Sequence, residues 1–152
     1  MRGAVIVALC VACVAVAHAE TRAKTTTLSL ARTKAKPARL LVKKIEAEVV
    51  GTTVPCSLRL VITPQHTLFK RFSIDVPFPT KTKRSPASLE VEVVGTEDPI
   101  STRRGSVELV KRAGHDFDAK LDTTFDHGAS TWTLTGVVRV ENASCASYSS
   151  TK

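Results

Sequence analysis

The sequence alternates apolar and polar residues at every second position, most regularly near its C-terminal end. Phe117, Leu121 and Phe125 occupy one set of positions there, and Asp118 and Asp122 occupy the other. Successive side chains of a β-strand point to opposite faces of a sheet, so this pattern predicts strands that bury one face. The chain has no long stretch with the three-to-four-residue repeat of an amphipathic helix.

Seven stretches follow the alternating pattern. They are residues 45–49, 56–62, 68–76, 89–93, 107–110, 117–125 and 132–140. A helix is the alternative for the first, because Leu41, Ile45 and Val49 also share a helical face. We favour a strand that forms a hairpin with the second stretch, since only a short turn separates the two. Pro77 should end the third stretch, because proline cannot donate to a strand ladder.

Seven short strands without a long helix predict an all-β fold, an antiparallel β-sandwich with one solvated face on each sheet. The architecture resembles an immunoglobulin domain only loosely. No Tyr-x-Cys motif includes Cys145, and Trp132 lies near the second cysteine instead of soon after the first.

Residues 1–19 have the pattern of a cleaved secretory signal peptide. Arg2 precedes fifteen residues without a polar side chain, and Ala17-His18-Ala19 places small residues at alternate positions. The apolar run is shorter than the roughly 20 residues that a membrane-spanning helix needs. A lipoprotein signal at Cys10 or Cys13 is the weaker alternative, because neither cysteine has the usual upstream leucine. We therefore expect a secreted, extracellular protein that begins at Glu20.

Cleavage would leave two cysteines, Cys56 and Cys145. In an oxidising compartment such a pair is expected to form one disulfide. It would close a loop of 89 positions. For a loop of that length the chain-entropy model gives a stabilisation of the folded state by about 4–5 kcal/mol.

The remaining chain divides into three parts by composition. Residues 20–39 carry six cations and one acidic residue with few apolar side chains, which predicts a basic flexible arm or at most one edge strand. Residues 40–145 form the β-sandwich domain, and residues 146–152 form a flexible tail. Asn142-Ala143-Ser144 is an N-glycosylation sequon, so Asn142 is the candidate glycosylation site.

No catalytic or metal site is expected. The histidines left after cleavage fall in loops, and no nucleophile motif accompanies them. They are His66, His115 and His127. The densest acidic group lies along one strand, so its carboxylates do not converge as calcium ligands would. It comprises Asp116, Asp118, Asp122 and Asp126. We expect a protein that is not an enzyme and uses no cofactor.

Basic clusters are the features that most suggest a function. The chain has 22 Lys and Arg against 14 Asp and Glu, and loss of Arg2 leaves 21 against 14. The candidate residues for binding an anionic partner are Lys70, Arg71, Lys81, Lys83, Arg84, Arg103, Arg104, Lys111 and Arg112. Such a partner outside the cell would be a glycan, a lipid head group, a microbial surface or an acidic protein. The alternative is that these charges only solvate loops.

Nucleic acid is not expected as a partner, because of export and because few aromatic residues accompany the cations. Contact with a membrane surface is compatible with the sequence, whereas membrane spanning is not. Two other functions stay open: an apolar-ligand carrier that binds between the sheets, and a secreted inhibitor or toxin-like effector that presents the loop 77–86.

Overall fold

The computed structural model describes residues 20–51, 55–78 and 84–145. These residues form eleven strands and contain no helix. The strands are β1 (Arg22–Arg32), β2 (Ala38–Arg39), β3 (Val42–Val50), β4 (Cys56–Pro64), β5 (Phe69–Phe78), β6 (Ser85–Pro86), β7 (Ser88–Val93), β8 (Ile100–Thr102), β9 (Gly105–Lys111), β10 (Phe117–His127) and β11 (Ser130–Glu141). The described ranges thus offer no helix that is long and apolar enough to cross a membrane.

Two antiparallel sheets build the fold, as the alternation predicts. The first has the strand order β2-β1-β11-β10-β9-β6 and the second has the order β3-β4-β5-β7-β8. All seven predicted strands are present, and the first two pair as a hairpin. Strands β1, β2, β6 and β8 are additional. The all-β sandwich is therefore confirmed, and the helical alternative around Ile45 is wrong.

The core lies between the sheets and takes the residues that the alternation assigns to the inner face. In β10, Ala119, Leu121 and Phe125 are buried, while Asp118 and Asp122 lie on the outer face. Phe69 occupies the centre of an aromatic group. Its ring centroid lies 5.0 Å from that of Trp132 and 5.2 Å from that of Phe125. Edge-to-face contacts of this kind add to the burial of apolar area.

The predicted disulfide is confirmed. Cys56 at the start of β4 and Cys145 beyond β11 are joined, and both residues are buried. The bond links the second sheet to the chain segment that follows the first sheet's last strand. It lies at the end of the sandwich opposite to Phe69, because β4 runs from Cys56 towards the loop that precedes Phe69.

The N-terminal segment differs from the flexible arm that we expected for residues 20–39. Most of it forms β1, which pairs with β11 from Arg22 to Arg32 and buries Leu28 and Leu30. The average composition concealed a local alternation, in which two inward leucines anchor the strand while charged residues such as Lys24 face outward. Burial of these leucines and a full ladder of hydrogen bonds outweigh the high net charge.

Gly136 lets β1 lie this close to β11. Its φ of 140° is unfavourable for other residues, and a Cβ there would collide with the Thr27 carbonyl oxygen and lie 2.8 Å from Leu28 Cα. A glycine inside a strand often marks such a close backbone approach. The glycine in an otherwise regular strand was therefore a sequence signal for the unexpected neighbour.

Strand β5 also differs from its prediction, because it continues past Pro77 to Phe78. Pro77 lies opposite Ser57 of β4. The pairing of β5 with β7 ends at Asp75, so at Pro77 no strand of the described residues continues the ladder on that side. A missing N–H that faces an unpaired side costs no ladder bond, which is why an edge position tolerates proline.

Candidate anion-binding surface

The predicted cations of the second sheet lie beside a carboxylate. Lys70 and Arg71 begin β5, and both face Glu92 of β7, with nitrogen–oxygen distances of 3.9 Å and 3.2 Å. The Arg71–Glu92 contact follows directly from the strand register, which places these residues opposite each other. Glu92 therefore offsets part of the charge of this cluster.

The outer face of the first sheet carries an alternating network of charges, which we call the paired face. Arg104 lies 2.6 Å from Asp126, and Arg112 lies 2.6 Å from Asp118. Three further pairs complete it: Arg139–Asp118 at 3.5 Å, Lys120–Glu108 at 3.7 Å and Arg84–Asp122 at 3.9 Å. Three of the four aspartates that we weighed as metal ligands thus serve as partners of these cations.

The paired face also shifts the acidity of its carboxyl groups. A hydrogen bond from Arg112, with the charges of Arg112 and Arg139, lowers the pKa of Asp118. A hydrogen bond from Thr131 and the contact with Arg104 lower the pKa of Asp126. Both carboxylates therefore stay ionised at neutral pH and keep neutralising their arginines. Asp116 instead accepts a hydrogen bond from the Asn142 backbone N–H at 3.0 Å.

The remaining predicted cations do not gather at one place. Arg103 and Lys111 are exposed, and no carboxylate of the described residues lies within 4.0 Å of either. Lys81 and Lys83 lie outside the described residues. The predicted binding set is therefore divided between two sheets, and most of its described members have a carboxylate partner.

A different group of cations is free of such partners. We call residues 32–43 the basic segment; its cations are Arg32, Lys34, Lys36, Arg39 and Lys43, and all five are exposed. No ion pair within the described part of the chain includes any of them. The sequence explains this, because residues 21–45 contain neither aspartate nor glutamate.

Backbone contacts hold the first half of the basic segment in place. The Thr33 backbone N–H and hydroxyl both donate to the Thr131 carbonyl oxygen, at 2.8 Å and 2.9 Å. The Thr131 N–H donates in return to the Thr33 hydroxyl at 3.1 Å. Lys34, the next residue, has a φ of 64°, in the left-handed region that favours glycine. A lysine therefore occupies this turn although the backbone conformation there is unfavourable for any residue with a Cβ atom.

The second half of the segment is anchored as well. Leu40 is buried, and its N–H donates to the Leu28 carbonyl oxygen at 2.8 Å. The Gln65 N–H donates to the Leu41 carbonyl oxygen, also at 2.8 Å. The Leu41 side chain is 57% exposed between Arg39 and Lys43. The segment is thus a fixed, exposed, positively charged surface instead of a flexible arm.

His66 borders this surface and packs more closely than a solvated loop histidine. Its ring stacks on Phe69 with a centroid distance of 5.0 Å and lies edge-on to Trp132 at 6.1 Å. The Leu68 N–H donates to His66 Nδ1 at 3.1 Å, and burial lowers the pKa of the imidazole below 6.5. His66 is therefore neutral at physiological pH and packs, half-buried, against the aromatic group around Phe69.

Asn142 is exposed, and its backbone lies in the left-handed region with a φ of 57°. Its carbonyl oxygen accepts a hydrogen bond from the Thr21 hydroxyl at 3.1 Å. Ala143, the middle residue of the sequon, is buried beside the disulfide end of the sandwich. The sequon therefore lies on a structured turn with the asparagine side chain facing outward.

No protein-family model matches this chain, and no curated protein or solved structure matches it either.

The sequence argument left the basic segment out of the candidate binding residues, because it assigned four of its five cations to a flexible arm. Two signals could have identified it. The first is the absence of acidic residues from residues 21–45, which leaves the local charge without an internal partner. The second is Gly136, which indicates that another strand passes close to β11.

Proposed function

We propose that this is a secreted protein that binds a polyanionic partner through the basic segment. One observation carries the proposal: five exposed cations lie within twelve residues, without a carboxylate partner among the described residues. An anion that approaches the segment does not compete with an internal counter-ion. Exposed ion pairs contribute about 0.2–1 kcal/mol each, so binding requires several contacts made together.

An extended polymer with repeated anionic groups, such as a sulfated glycan, fits this arrangement best. The cations are spread along a turn and the strand ends that flank it, whereas a small anion needs several donors that converge on one point. The fixed backbone also reduces the entropy that the segment loses on binding. Export is proposed from the pattern of residues 1–19, and the Cys56–Cys145 disulfide is compatible with an oxidising environment.

Two four-residue variants with equal changes in net charge test the proposal on immobilised heparin. The first is Arg32→Gln, Lys34→Gln, Lys36→Gln and Arg39→Gln, which removes most of the free cations. The matched control is Lys70→Gln, Arg71→Gln, Arg104→Gln and Arg112→Gln, which removes paired cations. The wild-type protein should be retained at low salt and released by about 0.5 M salt, because screening shortens charge attraction.

We expect the first variant to lose most of its retention, while the control elutes near the wild type. Equal losses would show that only net charge matters, and no retention of the wild type at low salt would remove the proposal. Melting temperatures of all three proteins check that the fold persists.

The other functions remain predictions. For the apolar-ligand carrier, the test is native mass spectrometry of the purified protein for a bound lipid; for the inhibitor, it is a panel of proteases. Side chains such as Phe69, Phe72 and Phe125 fill the core between the sheets. That the protein is not an enzyme, and that Asn142 carries a glycan, also remain predictions.

A further inference from the structure

Strand β3 is an edge strand of the second sheet, and one of its two sides has no hydrogen-bonded neighbour strand among the described residues. It pairs with β4 from Val42 to Val50, and no strand of the described residues pairs with its other side. No backbone hydrogen bond outside the β4 ladder involves residues 43–50 in the described ranges. An open edge of this length presents unpaired N–H and C=O groups that can pair with another strand.

The inward side chains of β3 are also incompletely covered. Ile45, Ala47 and Val49 face inward but are only half-buried. Their cross-strand neighbours in β4 are fully buried; these are Ile62, Leu60 and Leu58. A groove of about 1010 Å³ follows β3 and separates it from β1. The strand therefore leaves its backbone edge unpaired and leaves an apolar stripe, formed by Ile45, Ala47 and Val49, only partly covered.

The charges on the outward face of β3 are complementary to those of a second copy. Lys44, Glu46 and Glu48 occupy that face. If two β3 strands pair antiparallel about Glu46, Lys44 of each copy lies opposite Glu48 of the other. The same register sets Ile45 opposite Ala47 twice on the inward face. Opposite charges and apolar pairs facing each other across two strands stabilise a sheet.

Other registers are less favourable. Pairing about Ala47 would set Glu46 opposite Glu48 twice, which like charges disfavour. A slip by one residue would turn the apolar stripe of one copy towards solvent. In the register about Glu46, the two Glu46 side chains meet at the centre, but each lies 2.7 Å from its own Lys44. Pairing about Ile45 would also set Lys44 opposite a glutamate twice, but it leaves Ala47 opposite Lys43, whereas pairing about Glu46 sets Ile45 opposite Ala47 twice. Burial of the apolar stripe therefore favours the register about Glu46.

We propose that the protein forms a two-fold symmetric dimer in which β3 pairs with β3 of a second copy. The pairing joins two five-stranded sheets into one ten-stranded sheet and covers the half-exposed stripe. This inference does not depend on anion binding, because the cross-strand pairs that favour the dimer involve residues 44–48 and none of the cations of the basic segment.

A charge-swap series in analytical ultracentrifugation tests the dimer. The variants are Lys44→Glu, Glu48→Lys and the double swap Lys44→Glu/Glu48→Lys. Each single change creates two like-charge pairs across the interface, so we expect the dimer dissociation constant to rise at least about tenfold. The double swap restores both opposite-charge pairs, so its dissociation constant should return to within about threefold of the wild type.

Both positions tolerate these changes, because the side chains of Lys44 and Glu48 are 65% and 62% exposed. Loss of their exposed ion pairs within the chain, Lys44–Glu46 and Glu48–Arg59, should cost no more than about 1 kcal/mol each. Lys120→Glu, on the other sheet, makes the same change in net charge as Lys44→Glu and should leave the dimer intact. A wild-type protein that stays monomeric up to about 1 mM would overturn the proposal. So would a dimer on which the single swaps have no effect, or one that the double swap fails to restore.

Discussion

The paired face and the basic segment carry similar numbers of cations but differ in what surrounds them. On the paired face, Arg104 and Arg112 each have an aspartate oxygen 2.6 Å away. In the basic segment, five cations have no such neighbour among the described residues. A ligand at the paired face must displace an internal carboxylate, whereas a ligand at the basic segment replaces only water. Local surplus of charge, not the count of lysines and arginines, therefore distinguishes the candidate binding surface.

The largest effect should come from a substitution that disrupts the pairing of β11 with β1, the strand that leads into the basic segment. Gly136→Ala places a methyl group against Thr27 and Leu28 and should lower the free energy of unfolding by about 3 kcal/mol or more. Urea unfolding measures this change. The ion pairs of the paired face should be less affected, because they join β10 to β9, to β11 and to the segments before β6 and β9, and none of them involves β1.

Gly128→Ala, in the turn of the same hairpin, is the control for Gly136→Ala. Gly128 has a φ of 62°, but a Cβ there would meet nothing within 4 Å. It should cost only the backbone strain of about 1 kcal/mol. Equal losses for the two variants would contradict the close approach of β1.

A second substitution frees two arginines of the paired face from their shared carboxylate partner. Asp118→Asn removes the carboxylate shared by Arg112 and Arg139, so both arginines become available to a ligand. We expect stronger retention on heparin and a loss of about 1 kcal/mol in stability, since Arg112 is exposed and Arg139 is only half-buried. Glu97→Gln makes the same change in net charge in an exposed loop and releases no known partner. If both variants gain retention equally, the local pairing of charges does not matter.

Lys34→Gly separates charge from backbone strain in the basic segment. Glycine accepts the φ of 64° without a steric penalty, so the free energy of unfolding should rise by about 0.5 kcal/mol. Retention on heparin should nevertheless fall, because one free cation is lost. Lys34→Ala should lose the same retention without gaining stability. A destabilised Lys34→Gly protein would show that the turn is not strained.

The smallest effect is a dependence of stability on pH that arises beside the basic segment. The pKa of His66 in the folded protein lies below 6.5, so the unfolded chain binds the proton more readily. The contribution of His66 to stability is complete above that value and is lost as the pH falls from 6.5 towards the folded pKa. Asp118 on the paired face has a lowered pKa instead, so its contribution persists through this range and is lost only below about pH 4.

Urea unfolding between pH 7.5 and pH 5 measures the contribution of His66. The wild type should lose stability across this range, and His66→Phe should lose less because the group that titrates is absent. The same slope in both proteins would mean that His66 is equally accessible to protons in the folded and unfolded states.

Alternation predicted the sandwich because each strand repeats its own pattern locally. Phe117 to Phe125 in β10 and Leu134 to Val140 in β11 bury the residues that a period of two assigns to the inner face. The disulfide was also predictable, since only two cysteines follow the signal-like segment. These features depend on neighbouring residues or on a simple count.

The charge partners were harder to predict, because they depend on register between strands. Asp118 meets Arg139 only because the β10–β11 hairpin sets these residues opposite each other. Arg112 reaches Asp118 across the next turn, and Arg104 reaches Asp126 from the β8–β9 connection. Strand β1 was expected only as the alternative of one edge strand in residues 20–39, because the high average charge of that stretch outweighed the signal of the two leucines that anchor it. Where the sequence argument failed, the missing information was therefore about which strands are neighbours.

Titration of the isotope-labelled protein with a sulfated oligosaccharide, followed by nuclear magnetic resonance, tests the central claim most directly. Binding through unpaired cations predicts that the largest shifts of amide signals fall in residues 32–43 and in Thr131, whose backbone holds that turn. The shifts should disappear as salt is added. Shifts concentrated around Arg104 and Arg112, or no shifts at low salt, would contradict it.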